Sequence, residues 1–138
     1  MSCRSLIWSL LGGALALGGL FCLAPASAQA AELVMFERPG CGYCARFDRE
    51  VAPIYAKTEE GQRAPLRRME MAMGFGTLSA SKAEDFTLAA PVRFAPTFVL
   101  VDQGREIGRI TGYMSDEAFF GLLDALTRDL PSSQARTQ

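Results

Sequence analysis

The sequence contains no histidine. Imidazole titrates nearest to neutrality and is the commonest metal ligand, so histidine-based general-base catalysis and histidine metal sites are excluded. An excess of charge of either sign is also lacking: fourteen Lys and Arg residues stand against fifteen Asp and Glu, a net charge of −1. That balance offers no electrostatic footprint for nucleic acid or an anionic lipid surface. The chain carries no internal repeat and no low-complexity tract. Cysteine is scarce, with four in 138 residues, and two of these, Cys3 and Cys22, fall in the first thirty.

Those first thirty residues read as a secretory signal peptide. Met1 to Arg4 gives a short cationic start, Leu6 to Leu23 an apolar stretch, and Ala28-Gln29-Ala30 a small-x-small cleavage site. Ser9 and several glycines interrupt the apolar stretch and Pro25 follows it, which favours cleavage over a retained anchor. Bulky Phe21 before Cys22 argues against lipoprotein processing at that cysteine. The expected organisation is a signal peptide over 1–30, one domain over 31–131 and a flexible polar tail over 132–138. Removing thirty residues leaves 108, enough for one compact domain, with a net charge of −2 because only Arg4 is lost from the charged set. Cys41 and Cys44 are then the two remaining thiols, and export places them in an oxidising compartment, the periplasm.

Along the expected domain, Leu33-Val34-Met35-Phe36 is a continuous apolar run of strand length, ended by Glu37-Arg38 and the punctuating Pro39-Gly40. From Cys44 the apolar residues Phe47, Val51, Ile54 and Tyr55 recur at helical spacing, which predicts one helix to about Lys57, kinked by Pro53. Gly61 ends that segment, and Leu66 to Met73 alternates as a second strand. Ser79 to Leu88 permits a short helix. Thr97 to Val101 and Glu106 to Thr111 predict a hairpin turning at Asp102-Gln103-Gly104. Ser115 caps a last helix whose buried face is read as Phe119, Leu122, Leu123, Leu126 and Leu130, stopped by Pro131. The order suits a central mixed β-sheet with helices on both faces.

Cys41-Gly42-Tyr43-Cys44 closes the first strand and opens the first helix. The free amide groups and positive potential of a helix N-terminus stabilise a thiolate, lowering the thiol pKa and raising the share of nucleophile. Cys41 is the expected nucleophile, and Cys44, on the apolar face with Phe47 and Val51, the more buried thiol that resolves a mixed disulfide. Gly42 and Tyr43 shape the active-site loop, and Arg38 and Arg46 are candidates for local positive charge. As a structural staple the pair is weak, because so short a loop removes only on the order of 2 kcal/mol of unfolded-chain entropy. Two sulfurs carry the electrons, so no cofactor and no metal is expected.

The chain resembles the thioredoxin superfamily, on Cys41-Gly42-Tyr43-Cys44, on Phe94-Ala95-Pro96-Thr97 before a β-run, and on Gly112 before the last helix. The resemblance implies a thioredoxin fold, α/β, with a cis proline at Pro96 beside the active disulfide and the backbone of Ala95 pairing with a substrate strand. Further likeness is to small periplasmic thioredoxin-like proteins of sulfur-oxidation clusters, the SoxS type, through Glu50 to Tyr55, Ala64 to Arg68 and Arg93 to Asp102. It implies a monomeric reductant of a disulfide on an exported partner protein, recharged by a membrane thiol transporter. Three departures stand out. Gly40 replaces the tryptophan before the first cysteine, Met35 occupies the strand site where thioredoxins bury an acid, and the usual first strand and helix are missing. Alternatives are a disulfide isomerase, whose active site Cys-Gly-Tyr-Cys also resembles, an oxidase, disfavoured because Tyr43 stands where such enzymes place a histidine, and a copper-binding protein using the thioethers of Met69, Met71 and Met73. Alternate spacing on a strand makes those methionines core residues in the preferred reading.

Overall fold

The computed structural model describes residues 30–71 and 85–130. Residues 1–29 of the expected signal, Met73, most of the segment 79–88, Pro131 and the tail 132–138 lie outside the described residues. The elements run β1 (Glu32–Glu37), α1 (Gly42–Glu50), α2 (Ala52–Tyr55), α3 (Glu59–Arg63), β2 (Leu66–Glu70), β3 (Thr97–Asp102), β4 (Arg105–Thr111) and α4 (Asp116–Thr127). The strands form one sheet in the order β2-β1-β3-β4. β1 runs parallel to β2 and antiparallel to β3, and β3 pairs antiparallel with β4, so the sheet is mixed. No strand or helix precedes β1 among the described residues.

β1 and β3 read as unbroken apolar runs because both of their faces are covered. Side chains alternate across a strand, and each face builds its own layer. Leu33, Met35, Phe98, Leu100 and Ile110 face a layer made by Cys44, Phe47, Val51, Tyr55, Phe119 and Leu123. In that layer the rings of Phe47, Phe98 and Phe119 meet at centroid distances of 4.8 to 5.2 Å. Val34, Phe36, Val99 and Val101 face Phe86, Leu88 and Val92 on the other side, with Met69 and Met71 packed against them. Among the described residues the helices therefore cover one face and an irregular segment covers the other. Met69 and Met71 serve as packing, the preferred reading of the methionine alternation.

The single kinked helix expected from Cys44 to Lys57 is two helices, with the break at Val51, two residues before Pro53. Pro53 enters in the first turn of α2, where its missing N–H leaves no bond unmade. The Val51 carbonyl accepts from both Ile54 and Tyr55, restarting the helical ladder. α3 was not expected. The Thr58 hydroxyl caps it, accepting from the Gly61 N–H at 3.1 Å, with Glu59 and Glu60 in the first turn. Gly61 thus lies inside this helix instead of ending a segment, and a Cβ there would sit 1.9 Å from the Tyr55 carbonyl oxygen.

Asp85 to Leu88 is not helical. Thr87 bridges Arg105 with Phe86 and Leu88 buried on either side, and the Thr87 N–H donates to the Gly104 carbonyl at 2.9 Å. Apolar residues two apart obey a strand's period, and β4 offers unpaired backbone to meet it. Arg67 ties this segment to β2, pairing with Asp85 at 2.6 Å and Glu32 at 3.0 Å while lying 5.1 Å from the Phe86 ring centroid. The hairpin turns at Gln103-Gly104, both at positive φ, the backbone that matches the twist of paired strands. On α4 the Ser115 cap accepts from Ala118 as expected, and Phe119 and Leu123 are buried. Leu122 is not: it is 54% exposed, and Thr127 is buried instead, its hydroxyl bonded to the Leu123 carbonyl at 2.9 Å. The buried stripe follows the spacing 119, 123, 127, narrower than apolar content alone implied.

The loop after β4 is anchored to α1 by one polar contact. Tyr113, buried and edge-on to Phe47 at 5.6 Å, donates its hydroxyl to Glu50 at 2.7 Å. Arg46 pairs with the other oxygen of Glu50 at 2.9 Å and lies over the Tyr113 ring. These donors hold the Glu50 carboxyl below its ordinary pKa, the Tyr113 hydrogen bond first, while burial and Glu50 push the Tyr113 phenol up.

Phe119→Ala should cost about 3–5 kcal/mol in urea unfolding, since it opens a cavity among the rings of Phe47, Tyr55, Phe98 and Tyr113, whereas Leu122→Ala should cost far less. A depressed carboxylate pKa contributes stability that is present above the unfolded-state value and is lost as pH falls through the folded one. The stability gap between the wild type and Tyr113→Phe should therefore narrow as pH drops from about 6 to about 3, read as urea midpoints.

Candidate active site

The end of β1 hands the chain to a tight turn in which Gly40 adopts φ 73°, and the Cys41 N–H donates to the Arg38 carbonyl at 3.3 Å. Cys41 is the N-cap of α1: its backbone is extended, and its sulfur accepts the Cys44 N–H at 3.1 Å. A cap is normally an oxygen; here the reactive atom itself fills the role, so the helix's free amide points at the sulfur. The first turn of α1 carries no acidic residue to oppose negative charge there. Cys41 and Cys44 are joined as a disulfide, with their α-carbons 5.2 Å apart, well within the range such a bond allows. Cys41 is partly exposed and Cys44 is 4% exposed within the layer of Phe47 and Val51. One sulfur faces partners and the other faces the core. Gly42 and Tyr43 lie on the surface between them, Tyr43 being 62% exposed.

The Ala95–Pro96 peptide bond is cis. Pro96 is buried, and its carbonyl accepts the Gly112 N–H at 2.8 Å, where Gly112 takes φ 87°. Ala95 and Cys41 both pack against the layer that contains Cys44 and Tyr113, so the three stretches singled out from sequence converge on one region. Each contributes an exposed apolar side chain beside it: Tyr43, Phe94 and Met114. The run before Ala95 is held from β4. Glu106 accepts the Ala89 N–H at 2.7 Å, and Arg109, paired with Glu106, donates to the Ala90 carbonyl at 2.7 Å.

Of the two candidate cations, Arg46 is committed to Glu50 and Tyr113. Arg38 is exposed and lines an open cavity of about 410 Å³ shared with both cysteines, Glu37 and Asp48. Met35 is fully buried where a thioredoxin keeps its acid. The Arg68 guanidinium reaches its sulfur at 3.6 Å and pairs with both Glu37, at 3.0 Å, and Asp48. Glu37, Asp48 and Arg68 come from β1, α1 and β2, so no local motif advertises them. The only sequence signal was a polar pair, Glu37-Arg38, ending an apolar run.

The comparisons with known proteins agree with this architecture. The family model described as a thioredoxin-like domain matches residues 24–127. The structure is similar to the periplasmic thioredoxin SoxS from Paracoccus pantotrophus in its reduced form, at 43% identity and a TM-score of 0.61, covering 70% of this chain and 94% of that one. It is similar in fold to thioredoxin f2 of Chlamydomonas reinhardtii, at 16% identity and a TM-score of 0.54, covering 78% of this chain and 86% of that one. No curated protein sequence matches. A mixed sheet flanked by helices, a sulfur pair that caps the helix leaving its first strand, and a match over most of the chain agree: the protein belongs to the thioredoxin-like family and is a thiol-disulfide oxidoreductase.

Proposed function

We propose that this chain is a periplasmic reductant, processed near Ala30 to a monomeric domain over 31–131 with a short tail over 132–138, that resolves disulfides on an exported partner protein. The observation that carries the reading is the asymmetry of the pair: Cys41 partly exposed as the cap of α1, Cys44 buried behind it. In the dithiol form the Cys41 thiolate attacks a partner disulfide, forming a mixed disulfide and releasing one partner sulfur. Cys44 then attacks Cys41, which closes the intramolecular disulfide and frees the second partner sulfur. The partner gains two electrons, and this chain gives them up.

Roles follow from position. The amide at the head of α1 stabilises the Cys41 sulfur both as attacking thiolate and as leaving group. The backbone of Ala95, beside Pro96, is the edge against which an extended partner segment aligns, with Gly42 and Tyr43 shaping the opposite lip. Tyr43, Phe94 and Met114 supply apolar contact area around both lips. Likeness to a protein named a periplasmic thioredoxin supports the compartment. A dithiol consumed at each turnover needs recharging there, for which a membrane thiol transporter is the fitting donor.

Insulin reduction by dithiothreitol should be accelerated by the wild type and not by Cys41→Ser. Cys44→Ser should accumulate mixed disulfides through Cys41; accumulation by Cys41→Ser instead would reverse the two roles. Equilibration with glutathione buffers should place the pair near thioredoxin's roughly −270 mV, and a value near about −120 mV would overturn the reductant reading in favour of an oxidase.

A further inference from the structure

Resolution of the mixed disulfide has a requirement that the site's first step lacks. Cys44 is 4% exposed, so burial favours its protonated thiol over the thiolate, and a thiol is not the nucleophile. Something beside Cys44 must take that proton. No histidine exists in the chain, and Met35, buried in the same layer as Cys44, offers no proton site.

The cavity that borders both sulfurs narrows the choice. Among the described residues its side-chain proton acceptors are Glu37, from the end of β1, and Asp48, from α1. The charged groups facing them are Arg38, from the turn, and Arg68, from β2. The two carboxylates are not equivalent. Both oxygens of Glu37 accept from Arg68, Oε1 from Nε at 3.1 Å and Oε2 from Nη2 at 3.0 Å. Asp48 gives only Oδ1 to Arg68 Nη2, and its Oδ2 has no hydrogen-bond partner among the described residues. Asp48 also stands four residues after Cys44 in the same helix, which stacks the two side chains on one face.

We infer that Asp48, held in place by Arg68, is the proton acceptor for Cys44 during resolution of the mixed disulfide. This rests on the exchange mechanism proposed above. The S–H bond of Cys44 breaks and its proton passes through cavity water to Oδ2 of Asp48. The electron pair left on Cys44 forms the bond to the Cys41 sulfur as the bond from Cys41 to the partner breaks. The partner sulfur departs with the electron pair of that broken bond and is protonated, and Asp48 returns its proton to solvent through the cavity mouth. Arg68 is a positioning residue: it fixes one oxygen of Asp48 at the edge of the cavity and leaves the other without a partner among the described residues.

The test uses the reduced protein and an aromatic disulfide, 5,5′-dithiobis(2-nitrobenzoate), followed by stopped flow. The first release of chromophoric thiol reports attack by Cys41, and the second reports resolution by Cys44. Asp48→Asn should leave the first phase unchanged and slow the second about tenfold or more near neutrality, within the range of general-base effects. The gap should close at alkaline pH, where Cys44 ionises unaided. Asp48→Glu should restore the rate, Glu37→Gln should have little effect, and Arg68→Met should slow the second phase without changing the first. An unchanged second phase in Asp48→Asn, or a slowed one that does not depend on pH, overturns the inference. Equal slowing by Glu37→Gln overturns the choice of carboxylate. If the wild type releases one equivalent and never the second, the exchange mechanism itself fails, a result distinct from failure of Asp48 alone.

Discussion

Everything about this site depends on one hydrogen bond, from the Cys44 N–H to the sulfur of Cys41. A helix must begin with amide groups that its own ladder does not satisfy, and most helices give them a hydroxyl or a carboxylate. Here a sulfur takes that place, so the cap of α1 and the reacting atom are the same group. The bond is charge-assisted when the sulfur is a thiolate and loses that assistance when the sulfur is bonded to another. Helix formation and the redox state of the pair are thereby coupled through a single atom.

That coupling holds only if the strand and the helix keep their relative position. β1 sits between β2 and β3 with both faces covered, so its end is held by strands on both sides. α1 is seated on the sheet by Phe47 and Val51, and it is pinned laterally by Glu50, which receives the Tyr113 hydroxyl. Tyr113 directly follows Gly112, whose N–H is bonded to the Pro96 carbonyl. A continuous line of contacts therefore joins the helix that presents the sulfurs to the loop that carries Ala95. The one surface ion pair on this line, Arg46–Glu50, adds little energy. The contribution of the line is geometric, limiting how far the two lips of the site drift apart.

Where the sequence was legible, it was so through local signals. An unbroken apolar run marked β1, β-prone content marked β3 and its hairpin partner β4, and Ser115 with its acidic neighbours marked the start of α4. Cys41 and Cys44 were legible because a paired cysteine at a strand-to-helix junction has few other uses. What failed was whatever tertiary packing decides. Gly61 reads as a breaker, yet it is the residue that lets α3 approach the Tyr55 carbonyl. Phe86 and Leu88 fit a helix or an extended run by themselves, and the exposed backbone of β4 selected the latter. Leu122 is as apolar as Leu123, but only one of them meets the sheet. Residues that surround the sulfurs without a motif, Glu37, Asp48 and Arg68, come together only when three distant segments are laid side by side.

Met35 connects these observations to chemistry. An ionisable acid at a fully buried strand position must be kept neutral or be provided with a partner, and either device costs stability. A thioether at that position fills the core without such a cost, and the charged groups move outward to the cavity edge, where solvent pays part of their solvation. Arg68 makes this rearrangement coherent: one guanidinium touches the Met35 sulfur and bridges Glu37 and Asp48. Arg68 belongs to β2 and stands in register with Met35 of the parallel strand β1, so the cation is held by the same sheet that holds the site. The result is a fold in which the interior beside Cys44 is apolar and the acid–base equipment stands at the rim. On the proposed mechanism, protons then pass through the open mouth of the site and not through a buried relay.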